Sequence, residues 1–193
     1  MNAIPGQAPL FDAPNDFPNG LVYRPDFLSP DEEAVALAEL ARLPFHEAKF
    51  KEYTARRRVV SFGAAYDDEE REANIGVDFP PFVLALREKV AAWLNLSASA
   101  FVHVLASEYK AGTPIGWHRD RGDYGIVVGV SLAGWCRMRF RPLSARQDPR
   151  RQFVLDLQPR SAYVMRGAIR WQWQHSIAPT KMLRYSITFR TLV

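Results

Sequence analysis

The sequence holds a single cysteine, Cys136, in 193 residues, which excludes an internal disulfide and any cysteine-rich zinc cluster. A metal site would have to be built from histidine and carboxylate, and histidine is itself scarce, at four residues. No apolar run approaches the roughly 18 residues that would cross a bilayer, and the first residues lack the charged start and greasy stretch of a secretory leader. A monomeric cytoplasmic protein is expected, with no membrane partner and no disulfide partner. A dominant charge is missing too: 25 Lys+Arg against 21 Asp+Glu leave only +4, so the total names no partner. The arginines are nevertheless clustered. Arg56, Arg57 and Arg58 form one group, and Arg137, Arg139, Arg141, Arg146, Arg150 and Arg151 another; grouped guanidinium ions suit phosphate.

What is present supports one domain with a sizeable core, since 48% of the residues are hydrophobic. Residues 1–19 carry Pro5, Pro9, Pro14 and Pro18 without periodicity and read as an extended or poorly ordered arm, leaving 20–193 as the domain. Ser29-Pro30-Asp31-Glu32 has the form of a capping box, and the apolar residues after it predict a helix from about Pro30 to Leu43. A second helix is expected from Pro81, with Phe82, Leu86, Val90, Trp93 and Leu94 forming its buried stripe. From Phe101 onward the pattern alternates, and strands are expected at 102–109, 126–132, 135–141, 153–157, 161–165, 171–177 and 183–192. Helices first and many short strands afterwards predict an α+β fold, a jelly-roll core with the N-terminal helices packed outside it.

Two residues apart in Gly116-Trp117-His118-Arg119-Asp120, the His and Asp side chains of an extended chain project to one face. A distant imidazole would complete a set of two His and one carboxylate, which leaves positions open on a six-coordinate Fe(II). His175 is the natural candidate, on a strand face expected to include Trp171 and Trp173, whereas His46 falls in a loop-like stretch and His103 lies fifteen residues before His118. On the last strand Leu183, Tyr185, Ile187 and Phe189 share one face, and Arg184, Ser186, Thr188 and Arg190 the other. Those two arginines read either as surface charges or as the two arms of a dicarboxylate site, where bidentate guanidinium geometry suits a small diacid.

Taken in order, Glu108-Tyr109-Lys110-Ala111-Gly112-Thr113-Pro114-Ile115-Gly116-Trp117-His118-Arg119-Asp120 resembles the signature Asn-x-Tyr-x-x-Gly-x-x-Ile-x-x-His-x-Asp of the AlkB family, with Tyr, Gly, Ile, His and Asp in register. Arg184-Tyr185-Ser186-Ile187-Thr188-Phe189-Arg190 is similar to that family's paired-arginine strand, and His175-Ser176-Ile177 to its distal ligand segment. The resemblance covers residues 20–193 and implies a double-stranded β-helix fold and an Fe(II)- and 2-oxoglutarate-dependent dioxygenase that consumes O2. It implies iron on His118, Asp120 and His175, the distal carboxylate of 2-oxoglutarate on Arg184, a hydrogen bond from Tyr109, and the metal-proximal end of the co-substrate near Arg190. Ser107 stands where the signature usually has Asn, and Ser186 where some members have Asn, so two auxiliary cofactor-binding contacts are shorter-reaching.

Arg57-Arg58-Val59-Val60-Ser61-Phe62-Gly63 is similar to a strand that contributes to the lid over the target base in members acting on nucleic acid. The implied activity is oxidative dealkylation of N-alkylated bases in single-stranded DNA or RNA, coupled to decarboxylation of 2-oxoglutarate to succinate and CO2 with release of formaldehyde. A buried base edge is reached by flipping or from a single strand. Phe62, Tyr66 and Trp117 are the candidate stacking surfaces, and Arg57, Arg58 and Arg119 the candidate phosphate or base contacts. The alternatives are an oxygenase acting on a protein or small molecule, and a non-catalytic basic nucleic-acid-binding module.

Overall fold

The computed structural model describes residues 17–50, 53–63, 65–66, 73–74 and 78–193, without the side chains of 48–50, 53–55, 65–66 and 73–74. Its helices and strands, in chain order, are β1 (Leu21–Arg24), α1 (Pro30–Leu40), β2 (His46–Phe50), β3 (Tyr53–Gly63), β4 (Ala65–Tyr66), β5 (Ala73–Asn74), α2 (Pro81–Leu94), β6 (Phe101–Tyr109), β7 (Ile115–His118), β8 (Tyr124–Leu132), β9 (Cys136–Pro142), β10 (Phe153–Leu157), β11 (Ala162–Met165), α3 (Gly167–Gln172), β12 (Trp173–Ile177) and β13 (Arg184–Leu192). Seven strands in the order β1-β11-β8-β13-β6-β3-β2 form the major sheet, and β10-β9-β12-β7 the minor one. All their pairings are antiparallel. The expected jelly roll with helices outside is the fold observed.

Strand alternation gives the major sheet two different faces. Val60 and Phe62, Val104 and Ala106, Val128 and Val130, and Tyr185, Ile187 and Phe189 pack on one face against Leu40 of α1 and Phe82, Leu86 and Val90 of α2. On the other face Tyr109, Val127, Tyr163 and Met165 meet Met138, Phe140, Leu155 and Ile177 of the minor sheet. One strand therefore serves two layers: β13 sends its aromatic and aliphatic residues to the helices and its polar ones between the sheets.

The helix signals act as the sequence suggests. Ser29 Oγ accepts from the Glu32 amide at 3.1 Å, and the Glu32 carboxylate accepts from the Ser29 amide at 2.7 Å. α1 stops at Leu40 rather than Leu43, its end tightening into i→i+3 bonds from Arg42 and Leu43 ahead of Pro44, whose ring disfavours helical backbone before it. α2 ends at Asn95, which adopts φ 53°. A second departure is larger: the strand expected over 171–177 begins at Trp173, because Gly167 at φ 56° starts the short helix α3. Trp171 is thus helical and 38% exposed, and does not share the His175 strand face.

Of the arm expected over residues 1–19, residues 1–16 lie outside the described residues. Phe17 packs on Phe153 with ring centroids 5.8 Å apart, and the Asn19 carbonyl accepts from the Ile169 amide at 3.1 Å. Among the described residues no helix is long and apolar enough to cross a membrane.

Candidate metal centre

β7 and β12 are neighbours, and their register sets His118 opposite His175. The two rings lie 4.3 Å apart between centroids. A register shift in this pairing, between His175 and Ile177, lets Ile115 and His118 both face the interior, while Trp117 lies beneath Arg139 and Arg141. Asp120 follows in the loop, with Oδ2 3.6 Å from His175 Nε2. Its other oxygen accepts from Arg190 Nη2 at 3.2 Å. The loop is tied to α3 twice: Arg119 donates to the Trp171 carbonyl at 3.1 Å, and Arg170 donates to the carbonyls of Tyr124, at 2.7 Å, and Arg121. The two segments that carry Asp120 and His175 are thereby braced against each other.

Around these residues the sheets enclose a cleft of about 360 Å³. Its lining includes Ser107, Tyr109, Ser186, Thr188 and Arg190 from β6 and β13, Arg57, Val59 and Ser61 from β3, and Arg119 and Arg121 from the loop. Tyr163 also lines it, lying so close to Gly129 that a Cβ there would come within 2.3 Å of the ring. Arg184 sits behind the lining, fully buried, with its guanidinium carbon 4.9 Å from the Tyr109 ring centroid and Nε donating to Ser131 Oγ at 3.1 Å.

Charge state follows from this packing. Burial pushes the His175 imidazole down to about 3, with His118 beside it acting in the same direction. His118 is also lowered, by burial before any partner, although Asp120 and the bond to the Gly116 carbonyl oppose the shift. Neutral imidazole is the form that binds a metal. The 2.9 Å contact between His118 Nδ1 and the Gly116 carbonyl calls for a protonated Nδ1, which leaves Nε2 as the available lone pair. For Asp120 burial alone would raise the carboxyl, but the surrounding positive charge, Arg190 foremost, outweighs it and holds the group ionised well below the usual carboxylate range.

Among the described residues several buried polar atoms lack a hydrogen-bond partner, and three of them bear on the centre. Asp120 Oδ2 makes no hydrogen bond, and neither do Nη1 and Nη2 of Arg184. Such atoms cost free energy unless something completes them. A divalent cation would complete the carboxylate oxygen, and a carboxylate would complete the guanidinium fork. The donor set, two neutral imidazoles and one ionised carboxylate, therefore suits a divalent iron. Among the described residues no three His, Cys, Asp or Glu side chains already form a ready-made cage, which accords with Asp120 Oδ1 being held by Arg190.

The expected substrate contacts divide. Arg57 and Arg119 line the cleft. Arg58, one residue on, points to the opposite face and forms a two-pronged bond with Glu108, at 2.8 Å on each oxygen. Phe62 has the same parity as Arg58 and lies 2% exposed in the helix-side core, so it offers no stacking surface to the cleft. Trp117 faces the outside of the minor sheet. The Tyr66 side chain lies outside the described residues. Sequence reasoning passed over His103, which lines the cleft, stacks on Tyr124 at 5.3 Å and meets Arg190 Nη1 through Nδ1 at 3.1 Å. Its signal was parity, since 103, 107 and 109 alternate to one face of β6. Burial first, then the Arg190 charge, pushes it down to about 3, so the neutral ring accepts from the arginine.

Residues 20–190 match the family model of the 2OG-Fe(II) oxygenase superfamily. Among individual proteins, the chain is similar to uncharacterized protein L905 of Acanthamoeba polyphaga mimivirus, 29% identical over 103 residues that make up 47% of this chain and 48% of that one. It is also similar to the alkylated DNA repair protein ALKBH8 homolog of Arabidopsis thaliana, 28% identical over 196 residues, 90% of this chain and 54% of that one. The chain thus spans about half the length of the curated relatives it matches. In structure it is similar to OsALKBH1, with TM-score 0.67 and 15% identity over 89% of this chain and 96% of that one. The 2OG-Fe(II) oxygenase family oxidoreductase of Burkholderia pseudomallei gives TM-score 0.63 and 17% identity over 90% and 85%. At these identities the structural likeness is one of fold.

Proposed function

The chain belongs to the 2OG-Fe(II) oxygenase superfamily, and from that premise we propose that it removes alkyl groups from the bases of single-stranded DNA or RNA. Enzymes of this superfamily use Fe(II), 2-oxoglutarate and O2, and its relatives here include AlkB-like proteins. When bound, these groups supply the oxidation of a carbon–hydrogen bond, with the keto acid leaving as succinate and CO2. In our assignment His118, Asp120 and His175 hold the iron. Arg184 takes the distal carboxylate of 2-oxoglutarate on its unpartnered Nη pair, and Tyr109 donates to the same molecule. Arg190 orients Asp120 and faces the metal-proximal end. Ser107 and Ser186 supply short hydroxyls to the same cavity.

The chain's own residues otherwise place and desolvate the substrate. A hydroxylated N-methyl group breaks its own C–N bond, releasing formaldehyde and restoring the base, so no protein nucleophile is required. The observation that carries the nucleic-acid reading is the charge of the cleft. Arg57, Arg119, Arg121 and Arg190 line it, and Asp120 is the one acidic side chain among the described lining residues. Arg57 Nε is buried and lacks a hydrogen-bond partner. Such a lining favours a phosphate-bearing substrate over a neutral peptide.

The test is stimulation of 2-oxoglutarate turnover by a panel of single-stranded oligonucleotides bearing 1-methyladenine or 3-methylcytosine, their unmodified counterparts, and methylated peptides. Stimulation by the alkylated oligonucleotides is expected. Stimulation by a peptide alone would replace this reading with a protein-directed oxygenase.

A further inference from the structure

The second arginine cluster of the sequence plays no part in the cleft, and the fold gives half of it a specific arrangement. On β9 the inward residues are Met138 and Phe140, so Arg137, Arg139 and Arg141 share the outer face of the minor sheet. Each is tethered sideways through Nε: Arg137 to Asp156 at 3.1 Å, Arg139 to Ser176 at 3.0 Å and Arg141 to Gln174 at 2.9 Å. Trp117 of β7 lies against the last two, its ring centroid 5.2 Å from the Arg139 guanidinium carbon and 4.4 Å from that of Arg141. In these bonds each arginine spends its Nε, and among the described residues the Nη pairs of Arg139 and Arg141 have no hydrogen-bond partner. Asp156 offsets Arg137, but among the described residues no acidic side chain bonds to the other two.

We infer that this outer face is a docking track for the sugar–phosphate backbone of a single-stranded nucleic acid whose target base occupies the cleft. The inference rests on the nucleic-acid reading above. Alternate residues of one strand stand about 7 Å apart, a spacing comparable to that of successive phosphates in an extended single strand. Guanidinium groups fixed by Nε bonds and by an indole face are preorganised, so little side-chain entropy is lost when phosphate binds. Connectivity supplies the route. β7 is the last strand of the minor sheet, and its neighbours Trp117 and His118 face the outside and the cleft respectively. A strand leaving the cleft over that edge meets Arg141 and Arg139 next.

The experiment is fluorescence anisotropy of a labelled, unmodified twelve-nucleotide strand against the full chain and its R139Q/R141Q variant over a salt series, with a trinucleotide in parallel. Each single-strand phosphate contact contributes about 0.7 to the slope of log affinity against log salt, so the double variant should lose about 1.4. The trinucleotide, too short to span cleft and face together, should bind both proteins alike. R139Q and R141Q singly should each lose about half as much, which keeps the inference testable if the double variant folds poorly. An unchanged slope in a folded variant would overturn it. So would an equal loss with the trinucleotide, or loss of binding to anionic phosphatidylglycerol vesicles with the oligonucleotide slope intact. Failure of the dealkylase reading would look different: no turnover stimulated by alkylated strands, with the slope change still present.

Discussion

Replacing Arg184 by methionine should weaken co-substrate binding without lowering the stability of the ligand-free chain. The guanidinium is fully buried, bonded through Nε to Ser131, with both Nη atoms unpartnered. In the chain without 2-oxoglutarate that arrangement carries an uncompensated desolvation cost, and an apolar side chain of similar length should leave stability unchanged or raise it. Binding should suffer instead. Truncating one partner of a buried, hydrogen-bonded charge pair costs about 2–5 kcal/mol, which is roughly 30- to several-thousand-fold in Kd. Calorimetry under anaerobic conditions with a redox-inert divalent ion would read the affinity directly. Thermal unfolding with and without 2-oxoglutarate would read the rest, because wild type should gain ligand-dependent stability that R184M lacks. Undiminished 2-oxoglutarate affinity in R184M would refute the assignment of the distal carboxylate. A sharp fall in the stability of the ligand-free variant would show that the guanidinium is a structural element.

Three further outcomes follow from the same packing. R57Q should weaken single-stranded oligonucleotide binding, while R58Q should leave it unchanged and cost about 1–3 kcal/mol of stability by stripping Glu108 of its two-pronged partner; matched binding losses in the two would contradict the placement on opposite faces. Phe62→Ala should cost about 3–5 kcal/mol in unfolding free energy as a core truncation and leave the KM for an alkylated strand unaltered in protein that is still folded. His103 titrates near 3 when folded and near 6.5 as the unperturbed group. The unfolded chain therefore binds a proton that the folded chain refuses, and stability is lost as pH falls from about 6.5 toward 3, at up to about 1.4 kcal/mol per pH unit. Urea unfolding of metal-free H103N between pH 5 and 6.5 should show a slope smaller by about that amount, and an unaltered slope would count against the buried neutral imidazole.

The candidate centre was legible in part because some of its spacing is local: His118 and Asp120 sit two apart, and β13 alternates from Arg184 to Arg190, whereas His175 is brought beside them only by the pairing of β7 with β12. The β3 residues were harder to place because both faces of that strand are buried or packed, so alternation alone does not say which set meets the cleft. Register decides it, Val59 pairing with Ser107 and Phe62 with Val104; a slip of one residue would exchange Arg57 with Arg58. Trp171 was misplaced for a related reason, since Trp171-Gln172-Trp173-Gln174-His175 alternates as a strand would, while Gly167 and the buried Ile169 and Arg170 hold its first two residues in a helical turn. His103 lay in plain alternation with Tyr109, but its distance along the chain from the His-x-Asp triplet hid a contact made through Arg190.

Oxidation at the proposed iron site is, in our proposal, spent on an alkyl group carried by a nucleic acid base. Mass spectrometry of a single-stranded oligonucleotide bearing 1-methyladenine, started by adding oxygen to protein loaded anaerobically with Fe(II) and 2-oxoglutarate, tests it when succinate is quantified in the same samples. Loss of the methyl mass in step with succinate, abolished in H118A, is the predicted result. Succinate formed while the methyl group stays in place, for every alkylated strand of DNA or RNA offered, would contradict it.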